Sequence, residues 1–121
     1  EGKGYFVNPG VIVNVNHNMK IMQDETFGPI TPIMRFSDIN EAIKLANDSI
    51  YGLTSSIWTS DLKKGEELAR KIEAGTVEIN RHGMSKAGCP WGGCKQSGIG
   101  RIYSKEGIRE FTNIKHVWVV K

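Results

Sequence analysis

A chain of 121 residues suffices for one small domain, and its apolar (39%) and charged (24%) fractions exclude a disordered tail or a disulfide-dense mini-protein. Its 16 basic and 13 acidic residues leave +3, with both signs interleaved, too mild an excess to imply a nucleic acid or an anionic membrane as partner. No apolar run nears the roughly 20 residues of a spanning helix, and Cys89 and Cys94 are too few for a disulfide framework, so the expected setting is reducing and cytoplasmic.

The amino end, Glu1 to Tyr5, lacks the apolar core of a signal peptide. Because it opens on Glu rather than Met, the expectation is a removed start residue or a piece of a longer chain. Val11 to Val15, a β-branched run after Pro9-Gly10, reads as a strand. Asn18 to Asp24 is a short helical candidate, and Gly28-Pro29 stops it. Ile30 to Phe36 is a second strand, whose Pro32 lacks a ladder donor and so belongs at an edge or bulge.

A helix follows. Asp38 and Glu41 have capping-box spacing, and Ile39, Ala42, Ile43 and Ala46 recur at i, i+3, i+4 and i+7. Tyr51-Gly52 breaks it, and Leu53 to Thr59 reads as a strand. A second helix starts at Ser60 or Asp61 with the stripe Leu62, Leu68, Ala69 and Ile72, and Gly75 is placed as its left-handed terminator. Thr76 to Asn80 is the next strand. This alternation predicts an α/β class with a layered αβα sheet and crossover helices.

Residues 81–100 hold six glycines and a proline and read as loop. A short helix over Ser104 to Phe111 and an apolar strand over Val117 to Val120 end the sequence. That last strand is continuously apolar, so it wants cover on both faces, from this chain or a neighbouring one, and the pattern alone leaves both open.

Chemistry-bearing candidates are few. Cys89 and Cys94 are separated by four residues, not the two of a redox pair, and only His82 lies near them, so no zinc set forms and plain loop cysteines are expected. Gly98-Ile99-Gly100 lacks dinucleotide-fingerprint spacing and reads as a turn. His17 and His116 have no ligand-spaced partner, and Lys63 and Lys71 read as solvated helix charges. Glu25 and Phe27 stand out. Two apart before a rigid Gly-Pro turn, they share one side of an extended segment, where a carboxylate can accept ribose hydroxyls beside a ring; an acidic helix end with a core Phe is the plainer reading.

In order, Gly4-Tyr5-Phe6-Val7, Met19 to Met22, Asp24 to Pro29, Tyr51-Gly52-Leu53 and Ala74 to Val77 resemble the carboxy-terminal part of NAD(P)-dependent aldehyde dehydrogenases. Asn80, Pro90-Trp91-Gly92-Gly93, Lys95 to Gly98 and Gly100-Arg101 continue the resemblance. It implies NAD or NADP as cofactor and oxidation of an aldehyde to an acid. Glu25 resembles the carboxylate on the nicotinamide-ribose hydroxyls, Phe27 the ring beside them, and Leu53 a residue flanking the nicotinamide. Asn80, Arg81, His82, Met84, Ser85 and Trp91 fall in the substrate pocket, with Arg81 or His82 expected to meet an anionic or polar substrate.

The family's nucleophilic cysteine, general-base glutamate and glycine-rich cofactor turn have no counterpart in the sequence, and neither cysteine aligns with the nucleophile. No catalytic or metal-binding residue is therefore assigned, and these residues alone are expected to be inactive. Ile102 and Asn113 stand where the family often has glutamates, which alters the expected charge network near a subunit interface. The implied organisation is 1–96 as catalytic-domain portion, 97–111 as linking loop and helix, and 112–121 as an oligomerisation strand in a homodimer or homotetramer. A stand-alone binding or assembly module is the rival. A sheet cut from a larger layer is expected to expose apolar surface and to aggregate or oligomerise.

Overall fold

A computed structural model describes residues 2–83 and 86–121. The chain is α/β and divides into two compact units, one up to Leu45 and one from Ala46 to Lys121.

In the first unit, β1 (Gly10–Ile12) and β2 (Ile30–Pro32) pair in parallel, with α1 (Lys20–Gln23) between them. β1 is shorter than the β-branched run because Asn14 takes a left-handed φ of 59°, which no strand continues. β2 stops at Pro32, the edge position expected of a residue without an N–H. The helix α2 (Ile39–Asn47) starts where Asp38 Oδ2 accepts from Glu41 N–H at 3.0 Å. Only this arm of the capping box forms. Ala42 and Ile43 are half-buried, but Ile39 and Ala46, assigned to the same apolar face, are exposed.

The second unit is built on a parallel β–α–β crossover. β4 (Thr54–Ile57) pairs in register with β5 (Thr76–Ile79), and α3 (Leu62–Ala69) connects them. Asp61 caps α3 by accepting from Lys64 N–H at 3.0 Å. Gly65 lies in mid-helix despite a propensity cost of about 1 kcal/mol. A Cβ there would stand 3.0 Å from Thr59 Cγ2 and 3.2 Å from Ile79 Cγ2, so the glycine lets α3 close onto β5. Leu68, Ala69 and Ile72 are half-buried as their spacing predicts, whereas Leu62 is exposed.

Two expectations are corrected here. Tyr51-Gly52, read as a breaker, is itself a strand: β3 (Tyr51–Gly52) pairs antiparallel with β6 (Cys94–Lys95), inside the glycine-rich stretch read as loop, while the strand read as Leu53 to Thr59 is β4, which pairs with β5. Gly75 is not left-handed; a Cβ on it would stand 1.6 Å from the Gly92 carbonyl oxygen, so its role is to let the two backbones touch. Val117 to Val120 is 74–80% exposed and lies beside no strand among the described residues, which leaves the alternative of cover by a neighbouring chain.

The strands thus form three separate pairs rather than one continuous sheet among the described residues. A short helix α4 (Ser104–Arg109) precedes the tail. No large apolar side chain is buried among the described residues; burial is confined to Gly52, Gly65, Gly92, Gly93 and Gly107, where backbones meet.

Candidate functional site

The first unit carries the Glu25–Phe27 pair on the extended segment between α1 and β2. Gly28 N–H donates to Thr26 C=O at 3.0 Å and Ile30 N–H to Gly28 C=O at 2.9 Å, which tightens the turn behind the pair. The Phe27 ring is 93% exposed, so the core-Phe alternative does not describe it. Among the described residues the Glu25 carboxylate makes no hydrogen bond or ion pair, leaving both oxygens free to accept. An uncommitted carboxylate beside an uncovered ring is a donor-seeking, ring-stacking surface.

The second unit carries the remaining described candidates, and they separate. Asn80 ends β5 in a left-handed conformation (φ 55°), and its amide is spent on Thr59: Oδ1 accepts from Thr59 N–H and Nδ2 donates to Thr59 C=O, both at 2.7 Å. This ties the end of β5 to the segment after β4. His82 Nδ1 lies 2.8 Å from Ser56 Oγ, again across from β5 to β4. Leu53 sits at the junction of β3 and β4, where its carbonyl accepts from Thr76 N–H at 3.2 Å. Met84 and Ser85 lie outside the described residues.

Arg81 and Trp91 come together. They line a cavity of about 200 Å³ with Thr76, Glu78, Lys86, Cys89 and Pro90. Thr76 and Glu78 reach it because alternate residues of β5 share a face. Glu78 Oε2 accepts from Gly83 N–H at 2.6 Å and Oε1 lies 3.7 Å from Arg81 Nε. Trp91 is set in place by paired backbone bonds with Ile102, Trp91 N–H to Ile102 C=O at 2.9 Å and the return bond at 2.8 Å. Behind it, Arg101 Nη1 donates to the carbonyls of Gly93 and Gly100 at 2.8 and 2.9 Å.

Sequence reasoning missed Glu78, Lys86 and Cys89 as cavity residues. The period-two pattern of β5 was the available signal for Glu78, since it shares a face with Thr76. No such signal existed for Lys86 or Cys89, which arrive from a loop.

The family model described as "Aldehyde dehydrogenase family" matches residues 1–117. The betaine aldehyde dehydrogenase of Bacillus subtilis is 45% identical over 115 residues, covering 95% of this chain and 24% of that protein. An aldehyde dehydrogenase of Paenarthrobacter nicotinovorans is 48% identical over 118 residues, covering 98% and 26%. The NAD+ complex of an aldehyde dehydrogenase from Bacillus cereus superposes with a TM-score of 0.92 at 43% identity, covering 98% of this chain and 24% of that one. The chain therefore spans about a quarter of the length of the relatives it matches.

Proposed function

The chain belongs to the aldehyde dehydrogenase family, and from that premise we propose that it serves an NAD(P)-dependent oxidation of an aldehyde to a carboxylic acid. Its share of the work is to hold the nicotinamide ribose and to form one wall of the aldehyde channel. In this reading neither Cys89 nor Cys94 is the nucleophile, and the nucleophile and the general base come from outside the 121 residues.

The observation that carries the reading is the Glu25–Phe27 pair, a carboxylate with no internal partner next to a ring 93% exposed. That donor set fits a ribose diol and the flat edge of a nicotinamide: Glu25 accepts from the two hydroxyls and Phe27 packs alongside. The bound NAD(P)+ supplies the hydride acceptor. Trp91 bounds the aldehyde on the apolar side, so that the reacting carbon is held in place and water is kept from that wall.

The exposed, unpaired Val117 to Val120 supports reading 112–121 as the strand through which copies of the chain associate in a homodimer or homotetramer. Residues 1–96 are then the catalytic-domain portion and 97–111 the connection. A cytoplasmic location accords with the two free thiols.

The test is turnover by the full chain as expressed from its gene, followed by nicotinamide absorbance with aliphatic aldehydes and either NAD+ or NADP+. Glu25→Gln lowers kcat/KM for the cofactor roughly 10- to 100-fold, the expected loss of charge-assisted hydrogen bonds. Absence of reduction with every aldehyde and both cofactors refutes the reading.

A further inference from the structure

We propose that the cavity between β5 and residues 86–91 binds the carboxylate end of a small substrate, with Lys86 and Arg81 as the anion-binding pair and Glu78 positioning Arg81. The inference rests on the dehydrogenase reading in one respect only: the carboxylate is then the distal group of a short aldehyde acid.

The charges in the cavity wall do not balance. Arg81 and Lys86 face one carboxylate, Glu78. Glu78 is already engaged at both oxygens, by Gly83 N–H and by Arg81 Nε, and its side chain is only 13% exposed. It therefore has little left for a ligand. Arg81 uses Nε alone, so its two terminal nitrogens, which carry most of the guanidinium's donors, have no acceptor among the described residues. Lys86 has no carboxylate within 4.0 Å among the described residues. One positive charge is in excess, next to a fork built to take a planar carboxylate.

Size and lining fix the rest of the class. About 200 Å³ bounded by Pro90 and Trp91 holds a chain of a few carbons. The Trp91 face also attracts cations, and a quaternary ammonium aldehyde of the kind named for the Bacillus subtilis relative is the competing ligand. Two cations in the same wall repel that head group, and the sole carboxylate is spent. The balance favours the anion.

Succinate semialdehyde, butanal and betaine aldehyde, assayed with the full chain, separate the possibilities. Wild type prefers succinate semialdehyde over both, and Lys86→Gln and Arg81→Gln each lower the ratio of its kcat/KM to that for butanal about 10-fold or more. Preference for betaine aldehyde, or an unchanged ratio of succinate semialdehyde to butanal in both variants, overturns the proposal.

A second measurement needs no turnover. Cys89 is exposed and lines the cavity, so its alkylation by iodoacetamide, read on its own peptide by mass spectrometry, reports occupancy. Glutarate slows the reaction and glutaramide does not, and Lys86→Gln abolishes the difference. Equal rates with both compounds overturn the anion site whatever the activity. Protection by glutarate without oxidation of any aldehyde supports the anion site and refutes the dehydrogenase reading instead.

Discussion

Replacing Asn80 separates a structural staple from a substrate contact. Its side chain closes two hydrogen bonds with the Thr59 backbone, both 2.7 Å, on an exposed residue. At the lower part of the usual range these contribute about 1–2 kcal/mol together. The backbone adds a second cost: φ is 55°, and a residue with a Cβ but no locally bonding side chain loses about 1 kcal/mol or more there. Asn80→Ala is therefore expected to destabilise by about 2–3 kcal/mol. Asn80→Gly, which loses the same bonds but tolerates the left-handed backbone, is expected to cost about 1 kcal/mol less. Urea denaturation of the full chain, followed by circular dichroism with the slope held common, measures both. An Asn80→Ala variant within about 0.5 kcal/mol of wild type, near the ordinary surface range, or a glycine variant as destabilised as the alanine one, rules the staple out. Unchanged stability with a lowered kcat/KM assigns Asn80 to the substrate instead.

Gly75→Ala forces a Cβ to within 1.6 Å of the Gly92 carbonyl oxygen, with backbone on both sides, so a loss above about 4 kcal/mol or failure to accumulate soluble protein is expected in the same denaturation assay. The Glu106 carboxyl is held below its ordinary value, first by the Ser104 hydroxyl at 2.5 Å and then by backbone hydrogen bonding. Its folded value being depressed, the contribution is complete above the unfolded value and is lost as pH falls through the folded one. Ser104→Ala raises the Glu106 value in an NMR pH titration; an unmoved midpoint contradicts the assignment.

The Glu25–Phe27 pair illustrates what could be read before any fold was known. Two residues on an extended segment must share a side, and the Gly-Pro turn that follows is a local signal; the structure adds that the ring is uncovered. Asp38 was legible as a helix start, and Asp61 as one of two with Ser60, because a cap is a contact between residues three apart. Asn80 was legible only as a strand end. That its amide turns to Thr59, 21 positions away, depends on β4 and β5 lying side by side.

Chain-local chemistry in the amino-acid order thus determined the α/β class, the helix starts, the β4–α3–β5 crossover and the motifs that carry family membership. The tertiary structure decided which strands pair, where the apolar faces fail to find cover, and which charges share a cavity. Gly75 meets Gly92, Tyr51 pairs with Lys95, and Lys86 and Cys89 join Glu78 and Arg81 in one wall. None of these has a periodic or capping signature, because each is a contact between distant segments, specified by how backbones pack rather than by the preference of any one residue. The unpaired Val117 to Val120 makes the same point from the other side: strand propensity is local, but a ladder needs a second strand.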